Sequence, residues 1–279
     1  MDVFQECDTG ISVQGEKISN LRFADDIDLI EETRDQLQQN VQLLSENAKK
    51  AGLKINIDKT KTMVFGQQNI DRELMVDNKQ IENVQEFTYL GSILTWDNSS
   101  SKDIRTRIAK AKGIMAGFNN VWRSKAVRYK TKLSILRTCV LSVALYACET
   151  WTFKKDDRNK LLAFEMYCYR RILRLSWTER ITNLVVRSRL NIREDIIQMI
   201  MRRKMTLFGH ICRMNDKRKV KSVMLGIMDG TGRKGRPNRE WLDDIRDWGQ
   251  LDVHSLSIVA QNREGWRKLV KAALDTYGR

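Results

Sequence analysis

The sequence predicts an α+β chain whose β part comes first and whose remainder is mostly α-helical, on three observations. Short apolar runs separated by turn dipeptides fill residues 11–100. Past Ser99-Ser100-Ser101 apolar residues recur at helical spacing almost to the end. The charge also changes sign there. Residues 1–100 hold 10 Lys+Arg against 18 Asp+Glu, a net of −8, whereas residues 101–279 hold 40 against 17, a net of +23.

Leu21–Phe23 and Ile27–Ile30 flank an Asp-Asp pair and read as a hairpin. Thr33 is placed to cap a helix carrying Leu37, Val41, Leu44 and Ala48, which Ala51-Gly52 ends. Leu53–Ile57 and Thr60–Phe65 read as strands. A hairpin over 74–81 turns at Asp77-Asn78, and Val84–Leu94 is extended with a break at Gly91. Beyond Ser101 the spacing predicts long helices to about Trp122, over Tyr129–Ala147 and over Lys155–Leu175. Shorter helices follow near 178–189, 194–208 and 216–224, then a Gly-rich stretch at 229–237, a helix from about Asn238 to Trp248, and two more. The main boundary falls near residue 100, with a weaker one at 229–237.

The 279 residues suffice for one large domain or two smaller ones with real cores. No apolar run reaches the length of a membrane span, and the first residues lack the basic and apolar regions of a secretory leader, so neither a membrane nor secretion is expected. The five cysteines (Cys7, Cys139, Cys148, Cys168, Cys212) are odd in number and include no C-x-x-C spacing, which points to a reducing compartment, nucleus or cytoplasm. With two histidines in all, His210 and Cys212 do not make a structural zinc site. The excess of 23 positive charges after residue 100 reads as a polyanion-binding surface, nucleic acid before membrane.

The most informative stretch is Arg22-Phe23-Ala24-Asp25-Asp26-Ile27-Asp28. Asp suits turns, so the dipeptide alone is unremarked. Between apolar strands, however, a rigid tip holds two carboxylates toward solvent. Hard oxygen ligands of that kind suit magnesium, and nucleotidyl transfer uses two divalent ions to clamp the attacking and leaving oxygens.

Phe23-Ala24-Asp25-Asp26 resembles the Tyr/Phe-x-Asp-Asp box of reverse transcriptases. Gly52-Leu53-Lys54-Ile55-Asn56 with Lys59-Thr60-Lys61-Thr62, and then Phe87-Thr88-Tyr89-Leu90-Gly91-Ser92-Ile93-Leu94, resemble later blocks of the non-LTR enzymes. So do Tyr146–Thr152, Arg203–Ile211 and Gly235–Ile245. Blocks in this order, from about residue 18 to about 250, are similar to the C-terminal portion of LINE-type endonuclease–reverse transcriptases.

The resemblance implies a partial polymerase palm over 1–100, thumb-like helices over 101–152 and a helical basic C-terminal domain over 153–279. It implies Asp25 as a metal-binding carboxylate for Mg²⁺ or Mn²⁺, with Asp26 in support. Lys59 and Lys61 would lie near the incoming phosphates, neutralising charge or protonating the leaving pyrophosphate. Tyr89, Leu90 and Gly91 would lie under the primer strand. Its partners would be RNA and DNA, as template-primer and genomic target. The family's other metal-binding Asp, fingers and endonuclease lie upstream, and only 24 residues precede Asp25, so the chain alone is expected to be inactive as an RNA-directed DNA polymerase. The first strands are expected to present unpaired edges.

In the basic part, Arg105, Arg107, Lys110 and Lys112 share one helix able to track a phosphate backbone. Arg233, Lys234 and Arg236 sit in a Gly-Arg-Pro stretch resembling minor-groove AT-hook peptides, against the plainer reading of a loop before a helix. The aromatic residues read as core before stacking platforms, since pairs such as Phe118 and Trp122 stand four apart. Asp243-Asp244 reads as a solvated helix face. Two rival readings remain: a non-enzymatic basic RNA- or DNA-binding protein derived from the same scaffold, and a relic reading frame.

Overall fold

A computed structural model describes residues 9–13, 15–66, 73–226 and 239–277. The chain divides into two compact units: Met1–Asn98 with Met214–Pro237, and Ser99–Arg213 with Asn238–Arg279.

The first unit is a set of small sheets around one helix. Strands β1 (Ile11–Val13) and β2 (Glu16–Ile18) pair antiparallel, as do β3 (Asn20–Phe23) and β4 (Asp26–Leu29). Helix α1 (Arg34–Lys50) follows. Then come β5 (Lys61–Thr62), β6 (Leu74–Val76) and β7 (Lys79–Asn83), in the spatial order β5-β7-β6 with β5 parallel to β7, and the hairpin of β8 (Glu86–Tyr89) and β9 (Ser92–Thr95). The core is small: Val41 of α1 packs with Leu74, Val76 and Ile81, and Leu29, Leu37, Ile55 and Ile57 lean on them.

Local chemistry explains the boundaries. The Thr33 side chain accepts from Gln36 N, capping α1. At the other end Leu53 N donates to Ala48 O at 2.8 Å, across Gly52 at φ +73°, a left-handed closure that glycine adopts at low cost. Asp77 and Asn78 turn β6 into β7 with φ of 49° and 60°, a conformation short polar side chains tolerate.

The strands expected over Leu53–Ile57 and Thr60–Phe65 shrink to Lys61–Thr62. Asn56 diverts the chain into a turn: its side chain accepts from Lys59 N, and its carbonyl accepts from Thr60 N and Oγ1. The alternation there serves packing, since Ile55 and Ile57 meet the core without a ladder partner. The outer edge of β6 is met by α1. Gln38 donates to Met75 O at 2.8 Å and accepts from Met75 N at 2.9 Å, and Arg34 donates twice to Glu73 O.

The second unit begins with α2 (Ser101–Gly117), α3 (Asn119–Arg123) and α4 (Tyr129–Ile135). A π-helical turn at Leu136–Leu141 leads into the short α5 (Ser142–Ala144). The single helix expected to reach Trp122 is interrupted at Phe118, and that expected over Tyr129–Ala147 carries the π turn and stops at Ala144. Helices α6 (Lys155–Leu173), α7 (Asn183–Arg189) and α8 (Ile196–Cys212) follow. Next comes α9 (Lys219–Leu225), in the first unit's return segment, and then α10 (Trp241–Gly249), α11 (Val253–Gln261) and α12 (Arg263–Thr276).

Helix α8 is the hub, burying Ile197, Ile200, Met201, Met205 and Phe208 against α6, α10, α11 and α12. It opens with a capping box between Asp195 and Gln198. Gly209 lets α12 come close: a Cβ there would stand 2.2 Å from Trp266 Nε1, which donates to Met205 O at 2.9 Å. The aromatic residues Trp122, Trp151, Tyr169, Trp248 and Trp266 are buried, which is the core role the spacing predicts.

Two buried charge clusters hold this unit. Lys204 Nζ donates to Asp244 Oδ2 and to Trp151 O, each at 2.7 Å, and lies over the Trp241, Trp248 and Phe153 rings at 4.8, 5.5 and 5.7 Å. Arg239 and Arg158 reach the other oxygen of Asp244. The solvated face expected for Asp243-Asp244 is thereby corrected. Asp244 is fully buried, and Asp243 accepts from Glu240 N to cap α10, because adjacent helical residues point in different directions. The second cluster is Glu165, fully buried, bonded to Arg187 Nη2 at 2.8 Å and to the Tyr169 hydroxyl at 3.1 Å. Burial pushes its carboxyl up to about 7, against the pull of Arg187.

Removing the Lys204 ammonium while leaving Asp244 buried is expected to cost about 3 kcal/mol, softened by Arg158 and Arg239; urea unfolding of Lys204→Met measures it. Glu165 carries a raised folded pKa, so its favourable contribution exists at low pH and is lost as pH rises from its ordinary value toward about 7. Over that window the wild type should lose on the order of 3 kcal/mol relative to Glu165→Gln. Equal pH dependence of the two unfolding midpoints would contradict this.

Candidate active site

The β3–β4 hairpin closes through two residues, Ala24 and Asp25, with Phe23 paired to Asp26. Ala24 sits at φ 52°, a left-handed position that costs an L side chain and turns the chain tightly enough to leave Asp25 at the tip. Asp25 and Asp26 are both exposed. Cross-strand partners share a face, so Phe23, Asp26, Leu21 and Asp28 lie on one side and Arg22, Ile27, Asn20 and Leu29 on the other. Leu29 packs on the core, so the carboxylate-bearing side is the outer one.

On that outer side Asp28 meets Tyr89. The tyrosine hydroxyl donates to the carboxylate, tying the first hairpin to the β8–β9 hairpin. Partial burial raises the Asp28 pKa, Tyr89 lowers it and the neighbouring Asp26 raises it. Burial and the same bond push the Tyr89 phenol up to about 12. Asp28 stands two residues beyond Asp26 on one strand, a spacing that puts both carboxylates on the same face. Tyr89 is placed next to this carboxylate group, and Leu90 and Gly91, at φ 45° and 85°, form the exposed turn beyond it.

The remaining expected residues are scattered. Lys61 binds Glu82 Oε2 at 2.6 Å across β5 and β7, so its ammonium is committed there. Lys59 is exposed on the turn made by Asn56. On α2, Arg105, Lys110 and Lys112 are exposed, but Arg107 is buried, bound to Asp103 at 3.6 Å and stacked 4.3 Å from the Tyr146 ring centroid. Two residues along a helix is more than half a turn, which puts Arg107 on the core side while Arg105 faces water. Arg233, Lys234 and Arg236 lie outside the described residues.

The donor set fits a divalent cation in kind. Magnesium takes one or two carboxylates together with substrate phosphates, which the Asp25-Asp26 tip supplies. Among the described residues no group of three or more Asp, Glu, His or Cys comes together in a metal-binding cluster. No described helix is long and apolar enough to cross a membrane.

Residues 2–94 match the family described as reverse transcriptase (RNA-dependent DNA polymerase). This segment, a third of the chain, is similar to reverse transcriptases. The match takes in the Asp25-Asp26 hairpin, the Gly52–Thr62 stretch and the Phe87–Leu94 block. Over 280 aligned residues the chain is 24% identical to an uncharacterized transposon-derived protein of Caenorhabditis elegans, covering 93% of this chain and 97% of that protein. The alignment therefore spans the segment that matches reverse transcriptases and most of the helical remainder together. No solved structure matches the chain.

Tyr89→Phe removes an influence that lowers the Asp28 carboxyl pKa. The Asp28 titration followed by carboxyl NMR should then move upward; an unchanged or lower midpoint would remove the link between the two hairpins.

Proposed function

We propose that this chain is the C-terminal portion of a non-LTR, LINE-type retrotransposon reverse transcriptase, binding RNA and DNA and not polymerising by itself. The observation that carries this reading is the two-residue turn that presents Asp25 and Asp26 to solvent inside the segment matching reverse transcriptases. In it, residues 1–100 are part of a palm, 101–152 a thumb and 153–279 a basic C-terminal domain. The residues that would hold Mg²⁺ or Mn²⁺ are Asp25 with Asp26, and such an ion when bound supplies charge neutralisation at the transferring phosphate. Asp28, bonded to Tyr89, lies on the strand that begins at Asp26. Lys59 is better placed than Lys61 to meet incoming phosphates, since Lys61 is committed to Glu82.

Among the described residues no third ligand joins Asp25 and Asp26 in a metal-binding cluster, and cooperating catalytic groups lose most of their effect when one is missing. The second reading, a binding protein without polymerase chemistry, is favoured by the net +23 of residues 101–279. A relic reading frame is distinguished by failure to unfold cooperatively, which the buried clusters of the helical unit argue against.

Primer extension on an RNA template with Mg²⁺ should give no more product from the wild-type chain than from Asp25→Ala, while both bind template-primer equally. Extension abolished by Asp25→Ala would overturn the inactivity, and template binding lost in Asp25→Ala would overturn the assignment of binding to the basic helices.

A further inference from the structure

Acidic residues are missing from two long stretches of the helical unit. Between Asp103 and Glu149 there are ten Lys and Arg and no Asp or Glu; between Glu165 and Glu179 there are Arg170, Arg171 and Arg174 and again no acid. The fold brings these stretches together, because α6 packs on α2 and α3. The side chains where they meet are cationic and are held by neutral acceptors. Arg171 donates to Asn119 Oδ1 at 3.1 Å and to the Tyr167 hydroxyl at 3.3 Å, and Arg174 donates to Arg123 O at 3.2 Å. Lys112 Nζ lies 5.7 Å from the Tyr167 ring centroid. Among the described residues, the ion pairs of this unit involve none of Lys112, Arg123, Arg171 and Arg174.

Arg174 closes α6 at φ 59°, where Leu175 N donates to Arg170 O, a left-handed position that glycine occupies at lower cost. The field is positive beneath the surface too: the buried Lys132 ammonium, donating to Trp122 O and Ser124 O, is held below its ordinary pKa by burial first and by the charge of Arg174 second.

We propose that the face built from the C-terminal end of α2, helix α3 and the C-terminal end of α6 binds the phosphodiester backbone of RNA or DNA through Lys112, Arg123, Arg171 and Arg174. Guanidinium forks fixed by neutral acceptors keep their full charge and present further N–H donors to phosphate oxygens. No large exposed apolar side chain belongs to this set, so the face lacks the wedge that a lipid surface takes up. It differs from the row on α2 alone, since Arg107 turns inward and α6 supplies two of the four cations. The inference rests on the reading that this chain binds nucleic acid.

The test uses the full chain and labelled RNA and DNA duplexes of one sequence, titrated in KCl. The triple variant Lys112→Gln, Arg123→Gln, Arg174→Gly should flatten the slope of log Kobs against log [KCl] by about 2–3, near one unit per lost phosphate contact. Arg174→Gly alone should weaken binding while raising the melting temperature, which a merely structural role would not do. Lys268→Gln, on α12 and paired with Glu264, should leave the slope unchanged. A triple variant with the wild-type slope on both duplexes overturns the assignment of this face, whereas a wild-type chain that binds neither duplex overturns the nucleic-acid reading itself. Loss on one duplex alone supports the face and names its nucleic acid.

Discussion

The helical unit depends on the buried pair Lys204 and Asp244. Burying two ions costs several kcal/mol each before their attraction is counted, so the pair is a poor source of net stability. Its effect is on which packing is allowed. The ammonium needs Asp244 from α10 and the carbonyl of Trp151 from the segment before α6. The carboxylate in turn needs Arg239 and Arg158. A misplaced α10 would leave charges without partners in the interior, so alternative dockings are penalised steeply. Trp241 reinforces the same seam by donating to Glu149 O at 2.7 Å.

Three sequence blocks, around Tyr146–Thr152, Lys204–Gly209 and Trp241–Asp244, therefore read as one structural joint. Their chemistry-bearing residues are absorbed in holding helices together: Gly209 makes room for Trp266, and Arg203 donates to Leu145 O. The first unit is built differently. Its core is one face of α1 against a three-stranded sheet, and its other strands are two-residue-turn or short hairpins with much apolar surface in water, as at Leu21 and Phe23. Chemistry and exposure coincide there: the carboxylate tip rides on the hairpin with the least burial.

Much of this was legible in residues because local rules acted alone. The order of strands before helices, the Thr33 cap, the Gly52 stop and the Asp77-Asn78 turn follow from backbone preference and short-range hydrogen bonding. The Asp25-Asp26 turn was legible for the same reason. What escaped was set by distant partners. Nothing near Asp244 in sequence announces that Lys204 will neutralise it, and nothing near Asp28 announces Tyr89. Leu53–Ile57 has strand alternation, yet a strand also needs a neighbour, and Asn56 bends the chain away first. Arg107 looked equivalent to Arg105 until the helix had a core to face.

Gln38 gives the first unit a property that neither helix nor sheet has separately. Its amide pairs with both the N–H and the C=O of Met75, so a residue of α1 takes the place that a further strand would occupy beside β6. The helix is thus locked in phase with the sheet. A slide of one residue along β6 would present Gln38 with the opposite set of donors and acceptors, and a rotation of α1 would withdraw it altogether. Two kinds of secondary structure with incommensurate repeats, 3.6 residues and 2, are held in a single alignment by one side chain of the right length.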